Sequence, residues 1–176
     1  MKRHGFISVI AALGLLFTVA AAQQFPRLQE ENLNGQQVVL PDGAKGKVAV
    51  LVLGFSRSSQ KSAEAWAKRV LQDFGSNPAV VLYQLPAIQD APRFVRGMIT
   101  SGMKKDVPEA QRATFVPVLH EEEALKKLVA YKKDDAGDDA YIVVLDPSGK
   151  VVIQTHGGPD ASGYGDLHSR LQALLK

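Results

Sequence analysis

The chain has 176 residues, no cysteine, and 21 Lys plus Arg against 18 Asp plus Glu. That is one domain's worth of sequence, long enough to bury about two-thirds of its unfolded surface without disulfide staples. The lack of cysteine excludes thiol–disulfide exchange, which needs a thiolate. Charges of both signs are interspersed, which argues against a nucleic-acid footprint.

Residues 1–22 read as a secretory leader. Lys2, Arg3 and His4 make a positive start, Phe6 to Val19 is an apolar run, and Ala20, Ala21 and Ala22 offer a small-residue cleavage site. Cleavage would leave Gln23 as the new N-terminus, and loss of Lys2 and Arg3 would leave 19 basic against 18 acidic residues. The alternative is an uncleaved anchor, although the apolar run is slightly short of the roughly 20 residues a span needs.

Residues 23–45 form an N-terminal hairpin or arm. Leu33-Asn34-Gly35-Gln36 is a turn signal and Val38-Val39-Leu40 is β-prone. Val48 to Leu53 is a continuous apolar run, as in a central strand buried on both faces. Ser58 or Ser59 is a candidate N-cap for a helix whose inward face is Ala63, Trp66, Ala67, Val70 and Leu71, ended by Gly75. Ala79 to Leu85 is the next strand. Ala91 to Met103 is helical by pattern, with Phe94, Val95, Met98 and Ile99 as its apolar stripe and Met98 and Met103 on a core face. Thr114 to Leu119 contains Pro117, which cannot donate to a ladder, so the segment is placed on a sheet edge. Glu121 to Lys132 is a helix with acids first and lysines later, matching its dipole. Ala140 to Leu145, the turn Asp146-Pro147-Ser148-Gly149 and Lys150 to Thr155 form a hairpin. Asp166 to Leu175 closes the chain with Leu167, Leu171 and Leu174 inward. Val50, Leu53, Trp66, Ile142 and Val144 are expected in the core.

The elements alternate as α/β units until the last antiparallel hairpin. Gly46 to Trp66 reads GKVAVLVLGFSRSSQKSAEAW, and Ala140 to Gly158 reads AYIVVLDPSGKVVIQTHGG. This order resembles the thioredoxin-like superfamily, especially the branch of peroxiredoxins and exported thiol reductases. The resemblance implies an α/β fold over residues 46–176: a thioredoxin-like mixed sheet flanked by helices, preceded by the hairpin and carrying an inserted helix plus edge strand. In that branch the loop after the first central strand carries the cysteines. Here it carries Ser56, Arg57, Ser58, Ser59, Gln60, Lys61 and Ser62. The two cysteine places fall on Gln60 and Ala63, or, one register over, on Ser59 and Ser62. The place of the family's facing proline falls on Ala140. A remoter likeness is to the mitochondrial ATP-synthase assembly factor 10 family, on Tyr141, Leu145, Asp146, Gly149 and Gly157. The basic-aromatic pair of its last strand is Ile153 and Gln154 here.

The Ser56–Ser62 loop precedes a helix N-terminus, where N–H groups and the dipole favour an anion. Arg57 and Lys61 add charge, so an anion site is one reading and a capped, solvated loop the other. His156, at the end of the last strand, is a secondary candidate. His120 and His168 show no metal-ligand spacing. The acidic run Asp134-Asp135-Ala136-Gly137-Asp138-Asp139 lacks the EF-hand ligand pattern and reads as a solvated loop. Trp66 reads as core. The sequence therefore implies an exported, periplasmic or secreted protein with a binding or assembly role and a protein partner. It implies no catalytic residue, no cofactor, no metal, and membrane contact only through the leader. The alternatives are a small-anion-binding protein and a cysteine-independent enzyme using the serine loop.

Overall fold

A computed structural model describes residues 23–132 and 139–176. Residues 1–22, read above as a leader, and residues 133–138, with most of the acidic run, lie outside the described residues. The turn Asn34-Gly35 closes an antiparallel pair, β1 (Leu28–Glu31) and β2 (Gln37–Leu40), as the sequence predicts. Gly35 adopts φ 78°, a left-handed conformation that glycine enters without a Cβ penalty.

The apolar run becomes β3 (Val48–Gly54), with every residue buried. It lies between β4 (Val80–Pro86), parallel to it, and β5 (Ala140–Leu145), antiparallel to it. The hairpin partner β6 (Val151–Gly157) completes the order β4-β3-β5-β6. Burial on both faces explains why β3 and β5 read as unbroken apolar stretches, while β6 alternates buried Val151 and Ile153 with exposed Val152 and Gln154.

Two apolar layers sandwich this sheet. On one face Leu51, Leu53, Tyr141, Val143 and Leu145 meet Leu28, Leu40, Val118 and Leu125. On the other, Val50, Val52, Ile142 and Val144 meet helix α1 (Gln60–Phe74) and helix α4 (Ala161–Leu174) through Trp66, Val70, Leu167 and Leu171. All five residues expected in the core are buried.

Between β4 and β5 the structure departs from several expectations. Helix α2 (Arg93–Asp106) forms where predicted but buries none of its residues. Its apolar stripe is no wider than that of α1, but only the Val95 and Ile99 side is half-covered, so Met98 is 74% exposed and not a core residue. The segment from Thr114 to Leu119 runs parallel to β4 at the sheet edge, through isolated bridges rather than a continuous strand. Val116 and Val118 donate to Gln84 and Pro86 at 2.8 Å each, and Pro117 between them has no N–H to place. Helix α3 (Glu122–Leu128) is shorter than predicted, because Val129 leaves helical geometry and Ala130 turns left-handed at φ 51°. Helix α4 starts earlier than predicted. The Asp160 carboxylate accepts from the Gly163 N–H at 2.6 Å, a side-chain N-cap that offsets the weak helix propensity of Gly163 and Gly165.

Candidate functional site

The polar loop leaves the end of β3 at the face where β5 begins. Three of its serines bond to one another. Ser59 Oγ donates to the Ser56 carbonyl at 2.8 Å, the Ser59 N–H donates to Ser56 Oγ at 3.0 Å, and Ser56 Oγ lies 3.0 Å from Ser58 Oγ. Ser59 is the residue before α1 but makes no side-chain cap, so its predicted capping hydroxyl is turned back into the loop. It is only 1% exposed. A Cβ added to Gly54 would lie 2.8 Å from Ser59 Oγ, so the glycine ending β3 makes room for that hydroxyl.

Ser62, in the first turn of α1, reaches the sheet. Its Oγ donates to the Gly157 carbonyl at 2.9 Å and lies 3.4 Å from the Ala140 N–H. Trp66 Nε1 donates to the same carbonyl at 2.8 Å. Gly157, at φ 105°, holds a conformation that favours glycine, and it presents its carbonyl to two donors of one helix. Ser62 and Ala140 are thus brought together. Gln60 turns along the helix to Glu64 at 2.8 Å, and Arg57 and Lys61 point to solvent.

His156 stands on the opposite face of the sheet, directly across from Tyr141 in the ladder. The two rings stack at 5.4 Å with planes 25° apart. Tyr141 also packs edge-on to Phe55 at 5.6 Å and Tyr131 at 5.8 Å. His156 Nδ1 lies 3.1 Å from Asp139 Oδ2, so the carboxylate fixes the ring and the Nδ1–H donates. The ring borders an open cleft of about 420 Å³ together with Val129, Ala130, Lys132, Tyr141, Gln154 and Thr155. Sequence reasoning singled out His156 but missed Asp139 and Tyr141 as its neighbours. The Asp146–Gly149 turn alone would set residue 155 opposite 141, and the irregularity in the ladder at Val144/Leu145 shifts the register so that His156 takes that place.

The other histidines have separate, structural partners. His120 Nδ1 lies 3.2 Å from buried Glu30, whose carboxylate also accepts the Leu119 and His120 N–H groups and so ties the first hairpin to the edge segment. His168 is 3.9 Å from Asp73. Lys126 is held by Glu122, Asp90 and Glu123. Burial acts to lower its pKa, but these three partners outweigh burial and raise it above the usual lysine range. No helix among the described residues is long and apolar enough to cross a membrane.

No protein-family model and no curated protein matches the sequence. Solved structures do resemble the fold. BsSco, a member of the Sco family of cytochrome c oxidase assembly proteins, aligns at TM-score 0.61 and 12% identity, over 88% of this chain and 94% of that one. A DsbE thiol:disulfide interchange protein from Chlorobium tepidum aligns at TM-score 0.61 and 17% identity, over 88% and 97%. The exposed lipoprotein thioredoxin Etrx1 of Streptococcus pneumoniae aligns at 0.56 and 11%, over 82% and 99%. The chain has a thioredoxin-like fold, in a form without cysteine. Identities this low speak for the fold alone, and they leave the likeness to ATP-synthase assembly factors without support.

Proposed function

We propose that this chain is an exported, redox-inactive thioredoxin-fold protein that binds a protein partner in the cell envelope, without enzymatic turnover. One observation carries the reading. On the Ser59–Ser62 register, both places of the redox pair hold hydroxyls committed to backbone carbonyls, Ser59 to Ser56 and Ser62 to Gly157. The site that would attack a disulfide has become a fastening between α1 and the strand ends. A chain that keeps the fold and lacks its chemistry retains the fold's surfaces. Half-buried Phe55 and Tyr131, backed by buried Tyr141 beside exposed His156, form the surface best suited to a partner, since aromatic side chains supply large contact area at low entropic cost. An assembly role on this fold has a precedent in BsSco.

A photo-crosslinking residue at His156, compared with one at exposed Arg170 on α4, tests this in native envelopes. Capture of one protein from position 156 and not from 170 is the expected result. Equal capture at both sites, or none at 156, would refute the reading.

A second reading has its own observation. The start of α1 carries neither a side-chain cap nor an acid in its first turn, which leaves the dipole uncompensated there. A small anion at that end, with Arg57 and Lys61 nearby, would complement it. Phosphate titration should then shift amides of residues 57–62 in the wild type and less in Arg57→Ala. Scattered or absent shifts would leave an ordinary helix start.

A further inference from the structure

Helix α2 sorts its residues by direction. At about 100° per residue, Phe94, Met98, Ser101 and Lys105 share one line, with Arg93, Gly97 and Lys104 beside it. All of these residues are exposed, while Val95, Ile99 and Met103 on the other side are half-buried. Phe94 is 86% exposed and Met98 74% exposed. The face is therefore apolar in its middle and basic at both ends. It carries no acid in the first turn, and its first carboxylate is Asp106, the last helical residue. The neighbouring acid before the helix, Asp90, is already engaged by Lys126 at 2.9 Å.

Neighbouring apolar side chains left in water mark a surface that another body covers. Two side chains on a convex helix face fall well short of the roughly 800 Å² that a stable protein interface takes from each partner. A bilayer needs no matching pocket. Apolar side chains can enter the acyl boundary while cations meet lipid phosphates. We propose that the outward face of α2 docks on an anionic lipid surface, with Phe94 and Met98 entering the interface and Arg93, Lys104 and Lys105 meeting its phosphates. This contact is distinct from any made by the leader, and it lies away from the His156 surface.

A reporter at the site separates it from leader-driven attachment. Full-length Phe94→Trp is mixed with vesicles of bromine-labelled phosphatidylcholine, with and without phosphatidylglycerol. The unmodified chain supplies the background, because its one tryptophan, Trp66, is 1% exposed. The expected result is blue-shifted, several-fold stronger quenching at position 94 than at a Trp replacing Val152 on β6. That quenching should require phosphatidylglycerol, weaken with salt, and disappear in the triple variant R93E/K104E/K105E. These positions are exposed, so circular dichroism should stay native throughout. Equal quenching at 94 and 152, or quenching indifferent to phosphatidylglycerol and to charge reversal, would overturn the proposal. So would a blue shift at 94 that grows with protein concentration in the absence of vesicles, which would assign the face to a second copy of the chain.

Discussion

Helices α1 and α2 follow adjacent strands of one sheet and have nearly equal lengths, 15 and 14 residues. Both carry apolar residues at helical spacing. Helix α1 buries Trp66, Ala67, Val70 and Phe74, and α2 buries nothing fully. The difference lies in what stands opposite. Helix α1 crosses the middle of the sheet and is clamped by α4, which packs on the same sheet face. The Tyr164 ring packs 6.0 Å from Trp66, and its hydroxyl meets the Arg69 carbonyl at 2.9 Å and Asp73 at 2.7 Å. Helix α2 is the crossover from β4 to the discontinuous edge segment, and no strand packs broadly against it. Periodicity reveals that a stripe exists, and only tertiary placement decides whether anything covers it.

Substitutions should widen that contrast. Trp66→Ala removes a large core side chain and a donor to Gly157, and should cost about 3–5 kcal/mol in chemical denaturation. Leu53→Ala, under the same helix layer's sheet, should cost about 2–5 kcal/mol. A loss below about 0.5 kcal/mol at both positions would be inconsistent with a packed core here.

The α1–α4 clamp should also show in alkaline titration. Burial first, and then the neighbouring Asp73 carboxylate, raise the Tyr164 pKa above the usual phenol range. A raised folded-state pKa means that the contribution is fully present below the unfolded value, about 10. It declines as pH rises from there toward the folded value. The Lys126 ammonium, also raised, acts in the same direction. The unfolding midpoint should therefore fall above pH 10, and Tyr164→Phe should flatten part of that fall.

Ser62→Ala frees the Gly157 carbonyl from one of its two donors and should cost about 0.5–1.5 kcal/mol, with a smaller loss in Ser62→Thr if the hydroxyl keeps its bond. Phe94→Ala and Met98→Ala should each change stability by less than about 0.5 kcal/mol. A loss above 1 kcal/mol at either would mean that α2 is buried after all. The smallest expected effect is none: insulin-disulfide reduction and peroxide consumption should match buffer, and the unfolding midpoint should ignore reductant.

The strands were legible because burial on both faces writes itself as Val48–Leu53 and Ala140–Leu145. The first turn was legible in Asn34-Gly35. Helix ends were harder to read. Ser59 has the chemistry of a cap and spends it on Ser56, and Asp160 is a working cap hidden behind Gly163 and Gly165. Of the candidate site, the meeting of Ser62 with Ala140 followed from the resemblance. The Gly157 carbonyl did not, since a backbone acceptor leaves no letter in the sequence. His156 could be named from its strand end, but its partners required the ladder register. The failure at Met98 has another cause: an apolar arc is the same string whether it faces a sheet or solvent.

Glycine at 54 leaves the space that the Ser59 hydroxyl occupies, with 2.8 Å between that oxygen and the site of a would-be β-carbon. A thiol placed at 59 would take a seat that is walled in and closed to a bulky disulfide, and its sulfur is larger than the oxygen it replaces. Buried thiols of that kind are inert. Two substitutions would write the letters of a redox motif without its reach. On this register two letters do not make a redox site: the loop is built around oxygen, and catalysis would need the loop rebuilt before the nucleophile.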